Sequence, residues 1–329
     1  MDKPSVAVVG ATGMVGRTML EILEQRNFPA SNVVAVASSK SAGETVRFMG
    51  EDLEVRNLAE FDFGDTQIGL FSPGASVSIE HAPRAAAAGA VVIDNTSAFR
   101  MEPDVPLVVP EVNPDQIENR PRGIIANPNC STIQMVVALA PLHRASPIER
   151  IVVSTYQSVS GAGTAAVREL EQTARAVLDG DEPQAGPKFP HVIGFNCLPH
   201  IDVFLDDGYT KEEHKMMDET RKIIGDDRIR VSATCVRVPV FVGHAEAVNV
   251  QTREPITPET ARELLSAAPG VAVVDDAANL AYPLQRDCAG KDPTYVGRIR
   301  RDPSDDRALD MWIVADNLRK GAALNAVQI

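Results

Sequence analysis

The sequence predicts an α/β protein of two domains: a doubly wound parallel sheet over residues 1–128, then an α/β domain with a mixed sheet over 129–312. A C-terminal helix at about 313–329 is expected to pack back on the first domain. Three observations lead there. The chain has 329 residues, about twice the usual 150 per domain. Short apolar β-branched runs alternate with helix-like stretches through its first third, the pattern of a parallel sheet. Longer apolar strands, a capped helix and a Gly/Pro-rich loop follow from residue 151 onward.

Composition narrows the function classes. Hydrophobic residues make up 44% and charged residues 23%, values of a globular chain rather than a disordered one. No apolar run reaches the ~20 residues that span a bilayer, and no basic signal region precedes Ser5, so a cytoplasmic protein without membrane contact is expected. The four cysteines, Cys130, Cys197, Cys235 and Cys288, are scattered, which suggests neither a disulfide framework nor a metal site. A net charge of −13 argues against a nucleic-acid partner, because phosphate neutralisation needs clustered cations.

The first element is Ser5-Val-Ala-Val-Val9, which runs into Gly10-Ala-Thr-Gly13-Met-Val-Gly16 and the helix-like Arg17 to Glu24. Strand, glycine turn and helix in this order form a dinucleotide site, with the pyrophosphate on the helix N-terminus. The second strand, Val33 to Ala37, ends in Ser38-Ser39-Lys40-Ser41. An NAD-specific site carries an acid there for the ribose 2′-hydroxyl; hydroxyls and a lysine instead suit a 2′-phosphate, so NADP(H) is expected. A plain serine-rich turn is the competing reading.

Further strands are expected at Thr66 to Phe71, Ala90 to Asp94 and Leu107 to Val109, with a helix around Ser78 to Ala88. The segments holding Ser72 and Asp94-Asn95-Thr-Ser97 follow strands, where ligands bind in open α/β sheets. Arg100 stands close by and is suited to an anion, or is simply a surface arginine.

At Ile125-Ala-Asn-Pro-Asn129-Cys130-Ser-Thr132 one cysteine sits where a turn enters an apolar helix. Unpaired peptide N–H groups there favour the thiolate. Cys130 is therefore read as a nucleophile, against the alternative of a small buried hydrophobe. The next strand, Ile151 to Gln157, ends in Ser-Val-Ser160-Gly161-Ala-Gly163, and a helix follows from Thr164 to Leu178. Thr210 caps another helix that carries Glu212 and Lys215 three apart on one face. Val231 to Gln251 reads as two strands around a turn, with Arg237 and His244 embedded in apolar sequence. A buried arginine needs an anion, and a substrate carboxylate would supply one; a structural histidine is an even alternative for His244. Strands at Thr294 to Arg300 and Leu309 to Val314 lead to Asp316-Asn317-Leu-Arg-Lys-Gly321.

Together these motifs resemble the aspartate-β-semialdehyde dehydrogenase family, nearly end to end and closer to its shorter branch. The marks are Gly10 to Gly16, Asp94-Asn-Thr-Ser-Ala-Phe-Arg100, Val109-Pro-Glu-Val-Asn113, Asn127-Pro-Asn-Cys-Ser-Thr132, Gln157 to Gly163, Arg237-Val-Pro-Val and Gly243-His244. The resemblance implies a Rossmann domain, a catalytic and dimerisation domain, and a homodimer. It implies the reversible conversion of L-aspartyl-4-phosphate and NADPH to aspartate semialdehyde, NADP and phosphate, on the route to lysine, diaminopimelate, methionine and threonine. By the same resemblance Cys130 is the nucleophile, His244 the acid/base and Gln157 the group that orients the acyl carbon. Arg237 and Glu212 hold the substrate's carboxylate and ammonium; Arg100, Lys215, Asn95 and Asn129 hold phosphate. Gly10, Thr12, Gly13, Met14, Val15, Ser38, Lys40, Ser41, Ser72, Ser160, Gly161 and Asn317 match cofactor-contacting positions, with Lys40 where many relatives have arginine.

The chemistry agrees with this set. A thiolate displaces phosphate from an acyl phosphate, and the thioester is electrophilic enough to accept hydride. An ordinary histidine pKa near ~6.5 would suit His244 to proton transfer. Two alternatives stand beside this reading. The N-acetyl-glutamyl-phosphate reductase family shares the chemistry but carries Asn-Pro-Gly-Cys-Tyr where this chain has Asn-Pro-Asn-Cys-Ser. A catalytically silent dinucleotide-binding paralogue is the other.

Overall fold

In the computed structural model, which describes residues 3–329, the first apolar run forms strand β1 (Ser5–Val9) and the glycine turn delivers the chain into helix α1 (Met14–Gln25). The chain divides into two units, the first reaching Asn129 and including Ala322–Ile329, the second Cys130–Gly321. Strands β2 (Asn32–Ala37), β3 (Thr45–Phe48), β4 (Glu51–Asn57), β5 (Ile68–Phe71), β6 (Val91–Asp94) and β7 (Ile124–Ala126) complete a seven-stranded sheet in the order β3-β4-β2-β1-β5-β6-β7. Helix α2 (Ala75–Ala87) joins β5 to β6. All pairs are parallel except β3 on β4. The strand order reverses at β1, which pairs with β2 on one side and β5 on the other. The glycine turn therefore leaves the sheet at its switch point, where open α/β sheets bind ligands.

One element is new here and two sequence expectations are corrected. The hairpin β3–β4 was not foreseen: Glu51, Asp52 and Glu54 give β4 a charged, solvent-facing look, and mainly Val46 and Val55 are buried. Leu107 to Val109 is not a strand and makes a single bridge, Leu107 to Ala126. Asn113 instead occupies its backbone, accepting from Val109 N–H at 2.9 Å and donating to Leu107 O at 2.9 Å. The C-terminal helix begins later than 313, because Ala308–Ala315 is a strand; a helical turn at Arg319–Ala323 leads into helix Leu324–Gln328. Leu324 and Ala326 join the core of Val6, Val8, Met19 and Leu23 in the first unit.

The second unit opens on α3 (Cys130–Ala145), followed by β8 (Ile148–Gln157), α4 (Thr164–Asp179), α5 (Lys211–Ile224), β9 (Arg230–Arg237), β10 (His244–Thr252), α6 (Pro258–Ser266), β11 (Val271–Val273), β12 (Thr294–Arg301) and β13 (Ala308–Ala315). Its mixed sheet has the order β11-β12-β13-β10-β8-β9. The two strands read around the turn at 238–243 do not pair with each other. β9 lies parallel to β8, and β10 lies antiparallel to the other side of β8. The turn thus crosses the end of β8, where Val159 and Ser160 N–H donate to Val240 and Phe241 O. Buried α3 covers one sheet face, packing Met135, Leu139 and Leu142 with Val153, Val248 and Ile313. Helix α5 begins with a complete capping box between Thr210 and Glu213, and Glu213 also accepts the Cys235 N–H at 3.0 Å. That second bond fixes the start of α5 against β9.

Candidate active site

Sheet register gathers the polar residues of the second unit at one end. Gln157 closes β8 directly opposite Arg237, which closes β9. His244 opens β10 opposite Ala315, the last residue of β13. Chain-distant side chains therefore meet because parallel and antiparallel strands end on the same edge. All three are nearly inaccessible, at 1%, 6% and 0% exposure.

Gln157 Nε2 donates to Glu212 Oε1 at 3.2 Å and to Thr155 Oγ1 at 3.3 Å. Glu212, in the first turn of α5, also accepts from Lys215 Nζ at 3.0 Å. The Glu212–Lys215 pair is largely buried in the fold and has a third member, Asp202, 2.7 Å from Lys215 Nζ. Burial works against the Lys215 charge, but Glu212 and Asp202 outweigh it and raise the ammonium above its usual pKa. Lys215 is thus a cation shared by two carboxylates.

Arg237 Nη1 donates to Ser158 O at 2.7 Å. Burial lowers its pKa, while the charges of Glu212 and of Cys130 oppose the change. A guanidinium nonetheless stays charged. A Cβ built on Gly161 would lie 3.2 Å from Arg237 Nη1 and 3.2 Å from His244 Nε2, so both nitrogens border the space that glycine leaves open. His244 Nδ1 accepts the Ser158 backbone N–H at 3.1 Å and has the Ser158 hydroxyl at 3.1 Å. Among the described residues its Nε2 has no hydrogen-bond partner. The expected ordinary histidine pKa does not hold: burial, then the Arg237 charge, lowers it to about 3, and His244 is neutral at physiological pH.

Asn317, two residues past β13, stands behind this group. Its Oδ1 accepts from Gly243 N–H at 2.9 Å, Ser158 Oγ at 3.1 Å and Ser160 Oγ at 3.2 Å, and its Nδ2 donates to Ser160 Oγ at 3.0 Å. Cys130 heads α3 and is half-buried, whereas Cys235 and Cys288 are buried. Burial pushes the thiol of Cys235 far up and that of Cys288 up to about 11, which leaves both inert. Gly321 packs on Cys130: a Cβ there would fall 2.9 Å from the cysteine Cβ. Among the described residues no cluster of three or more His, Cys, Asp or Glu could hold a metal.

The first unit holds the glycine turn. Gly10 has φ +86, and a Cβ on it would meet Ser72 O at 2.6 Å; one on Gly16 would run into the Gly10 carbonyl. Gly13 is exposed and caps α1 without a side-chain bond or an acid in the first turn. This helix end is therefore open to the anionic pyrophosphate of a dinucleotide, with Thr12, Met14 and Val15 around it. Ser38 and Lys40 are exposed just past β2, and Ser41 Oγ lies 3.4 Å from Thr12 Oγ1, a neutral-to-positive rim that fits a 2′-phosphate. Asn95 Nδ2 lies 3.4 Å from Ser72 Oγ. Arg100 is buried, giving hydrogen bonds to Asn127 O at 2.9 Å and Asn95 O at 3.0 Å, and Asn129 is buried too.

Sequence reasoning passed over several residues. Asn127 donates to Asn95 Oδ1 at 2.6 Å and accepts from Asn325 at 2.6 Å, tying that loop to the C-terminal helix. Glu246, two residues after His244 on β10, is completely buried; among the described residues neither its oxygens nor the facing Gln134 amide makes a hydrogen bond of good geometry. Burial raises its carboxyl pKa well above the ordinary range, against a smaller opposing pull from Gln134. The period of two from His244 was the available signal for it.

Comparison with known proteins finds two family models: semialdehyde dehydrogenase, NAD binding domain, at residues 5–120, and semialdehyde dehydrogenase, dimerisation domain, at 139–320. The aspartate-semialdehyde dehydrogenase of Aquifex aeolicus is 56% identical, over 98% of this chain and 96% of that one. That of Legionella pneumophila is 55% identical, over 99% and 94%. A crystal structure of aspartate semialdehyde dehydrogenase II from Vibrio cholerae complexed with ASA superposes with a TM-score of 0.97 at 52% identity, covering 100% of this chain and 97% of that one. One from Candida albicans with NADP has a TM-score of 0.76 at 26% identity, covering 99% and 96%.

Proposed function

This chain belongs to the aspartate-semialdehyde dehydrogenase family, and from that premise we propose how its residues carry the reaction. The protein is an NADP-dependent oxidoreductase of amino-acid biosynthesis. It converts L-aspartyl-4-phosphate reversibly to aspartate 4-semialdehyde and phosphate. Bound NADPH supplies the hydride that reduces the acyl carbon.

Cys130 Sγ attacks the acyl phosphate and holds the acyl group as a thioester, which divides one difficult step into two. The positive end of α3 favours negative charge on that sulfur, and its first-turn amides are placed to stabilise the acyl oxygen when it becomes an oxyanion. Arg237 reads the α-carboxylate with its planar fork, and Glu212 takes the ammonium. Gln157, held by Glu212 and Thr155, orients the acyl group. Lys215, Arg100, Asn95 and Asn129 receive the phosphate, Lys215 releasing part of its hold on Asp202 as it does so. His244 is assigned as the acid/base at the reacting oxygen. Gly10, Thr12, Gly13, Met14, Val15, Ser38, Lys40, Ser41, Ser72, Ser160, Gly161 and Asn317 bind NADP(H). We assign the working form as a cytoplasmic homodimer; no helix among the described residues is long and apolar enough to cross a membrane.

The observation that carries the reading is the meeting of Gln157, Arg237 and His244 at one sheet end, with Cys130 within electrostatic reach of Arg237. The test is NADP reduction with aspartate semialdehyde or N-acetyl-glutamate semialdehyde, with and without phosphate. Phosphate-dependent turnover of the former, abolished in Cys130→Ala with NADP binding intact, is expected. Turnover retained by Cys130→Ala would exclude the covalent route.

A further inference from the structure

Asp202 holds Lys215 by a bond that its own loop does not need. Ile201, the residue before it, is buried in the core of the second unit. The residues after it fold back on the start of α5: Lys211 N–H donates to Val203 O at 2.9 Å, Leu205 N–H donates to Tyr209 O at 2.8 Å, and Phe204 bridges Thr210. The loop is thus anchored on both sides without an ion pair, and a part-exposed ion pair adds little to stability. Asp202 nevertheless has a backbone φ of +68, a conformation uncommon outside glycine and best tolerated by Asp, Asn and His. In that conformation Oδ1 accepts the Val203 N–H at 2.9 Å, and Oδ2 faces Lys215 Nζ at 2.7 Å.

The charges of the group bear on phosphate. Burial draws the Asp202 carboxyl upward, but the bond to Lys215 and its charge outweigh that and hold it below the ordinary carboxylate pKa. Asp202 is therefore an anion at neutral pH. One ammonium between Asp202 and Glu212 leaves the trio net negative. Once Glu212 has taken the substrate ammonium, phosphate faces Lys215 paired with Asp202, a neutral pair in place of a bare cation. An ammonium has three N–H groups; Lys215 gives one to each carboxylate, which leaves one for a phosphate oxygen.

We propose that Asp202 is a positioning residue that shares Lys215 with phosphate and so keeps the phosphate of this reaction weakly held. This rests on the placement of phosphate at Lys215 made above and deepens it. Phosphate is a product that must leave at every turnover in the direction of aspartate semialdehyde. Binding energy spent equally on that ion throughout the reaction would retain it without speeding the chemistry. Asp202 offsets part of the lysine's charge and takes the ammonium back as phosphate departs.

The experiment is the initial rate of NADP reduction by aspartate semialdehyde, with inorganic phosphate varied, on the full-length protein. Asp202→Asn keeps a side chain that tolerates positive φ and an oxygen for the Val203 N–H, and Asp202→Gly removes the carboxylate without backbone strain. Both should lower KM for phosphate roughly 3- to 10-fold, as expected of removing one partly screened charge close to the ion. KM for aspartate semialdehyde should change much less. Asp202→Glu, which restores the carboxylate, should return KM for phosphate toward the wild-type value. Loss of a merely structural contact would raise KM or lower kcat and would not tighten phosphate binding. Lys215→Met should raise KM for phosphate. If it does, while KM for phosphate in Asp202→Asn and Asp202→Gly is unchanged or higher, or falls no more than KM for aspartate semialdehyde, the role of Asp202 is overturned and that of Lys215 stands. An unchanged KM for phosphate in Lys215→Met would remove phosphate from Lys215, and the proposal with it.

Discussion

Gly321→Ala is the sharpest probe of how Cys130 is held. Gly321 does not lie in the positive-φ region, so the backbone accepts alanine and the effect is steric. The new methyl would stand 2.9 Å from Cys130 Cβ and 3.3 Å from its Cα, while carbon atoms settle at ~3.5–4.0 Å. The cysteine must retreat by roughly 0.6–1 Å, carrying the sulfur with it. A displacement of about 1 Å at a nucleophile costs about 10²-fold in rate, or ~2.7 kcal/mol of transition-state stabilisation. Initial rates of phosphate-dependent NADP reduction by aspartate semialdehyde should show a 10- to 100-fold lower kcat, by that same estimate of about 10². The rate of Cys130 alkylation by iodoacetamide should change in parallel, and a thermal scan separates displacement from unfolding. A kcat within about twofold of wild type would refute the argument that Gly321 sets the sulfur's position.

Other substitutions report on separate parts of the site. Arg237→Lys keeps the charge and loses the fork, so KM for aspartate semialdehyde should rise roughly 10- to 100-fold with a smaller change in kcat; an unchanged KM would take Arg237 off the carboxylate. Glu246 has a folded-state pKa raised above its unfolded value, so the fold binds a proton that the open chain releases. Its stabilising effect is complete below the ordinary carboxylate pKa and declines as pH rises, by ~1.4 kcal/mol per pH unit until the folded pKa is passed. Urea midpoints of Glu246→Gln should lack that part of the slope between about pH 5 and 8, and an identical slope in both proteins would show that Glu246 is ionised in the fold. Lys40→Ala should lower kcat/KM for NADPH while leaving NADH nearly unaffected; equal losses with both cofactors would remove Lys40 from the 2′-phosphate.

Much of the architecture was legible because its signals are local. The run Ser5 to Val9 followed by Gly10 to Gly16 states strand, tight turn and helix within a dozen residues. Thr210 and Glu213 state a helix start within four. Where the signal was not local the reading failed. β4 gave no strand signal, because it sits next to the sheet edge and mainly Val55 of its residues is buried. Leu107 to Val109 looked like a strand because nothing in its own residues reveals that Asn113 takes its hydrogen bonds. Val231 to Gln251 was legible as two strands around a turn, but that β8 lies between them, parallel to one and antiparallel to the other, cannot be inferred from the turn.

The same division runs through the site. From the sequence alone came the assignment proposed for the reacting and binding groups, since a cysteine at a helix entrance, a glycine turn and an acid-free serine rim each carry their chemistry in a few adjacent residues. Only tertiary structure decided their states. Strand register set Gln157 opposite Arg237, and burial beside that arginine made His244 neutral. Asp202 joined Lys215 from a distant loop. Protonation and hydrogen bonding depend on dielectric and on neighbours in space, and neither is a property of the residues next along the chain.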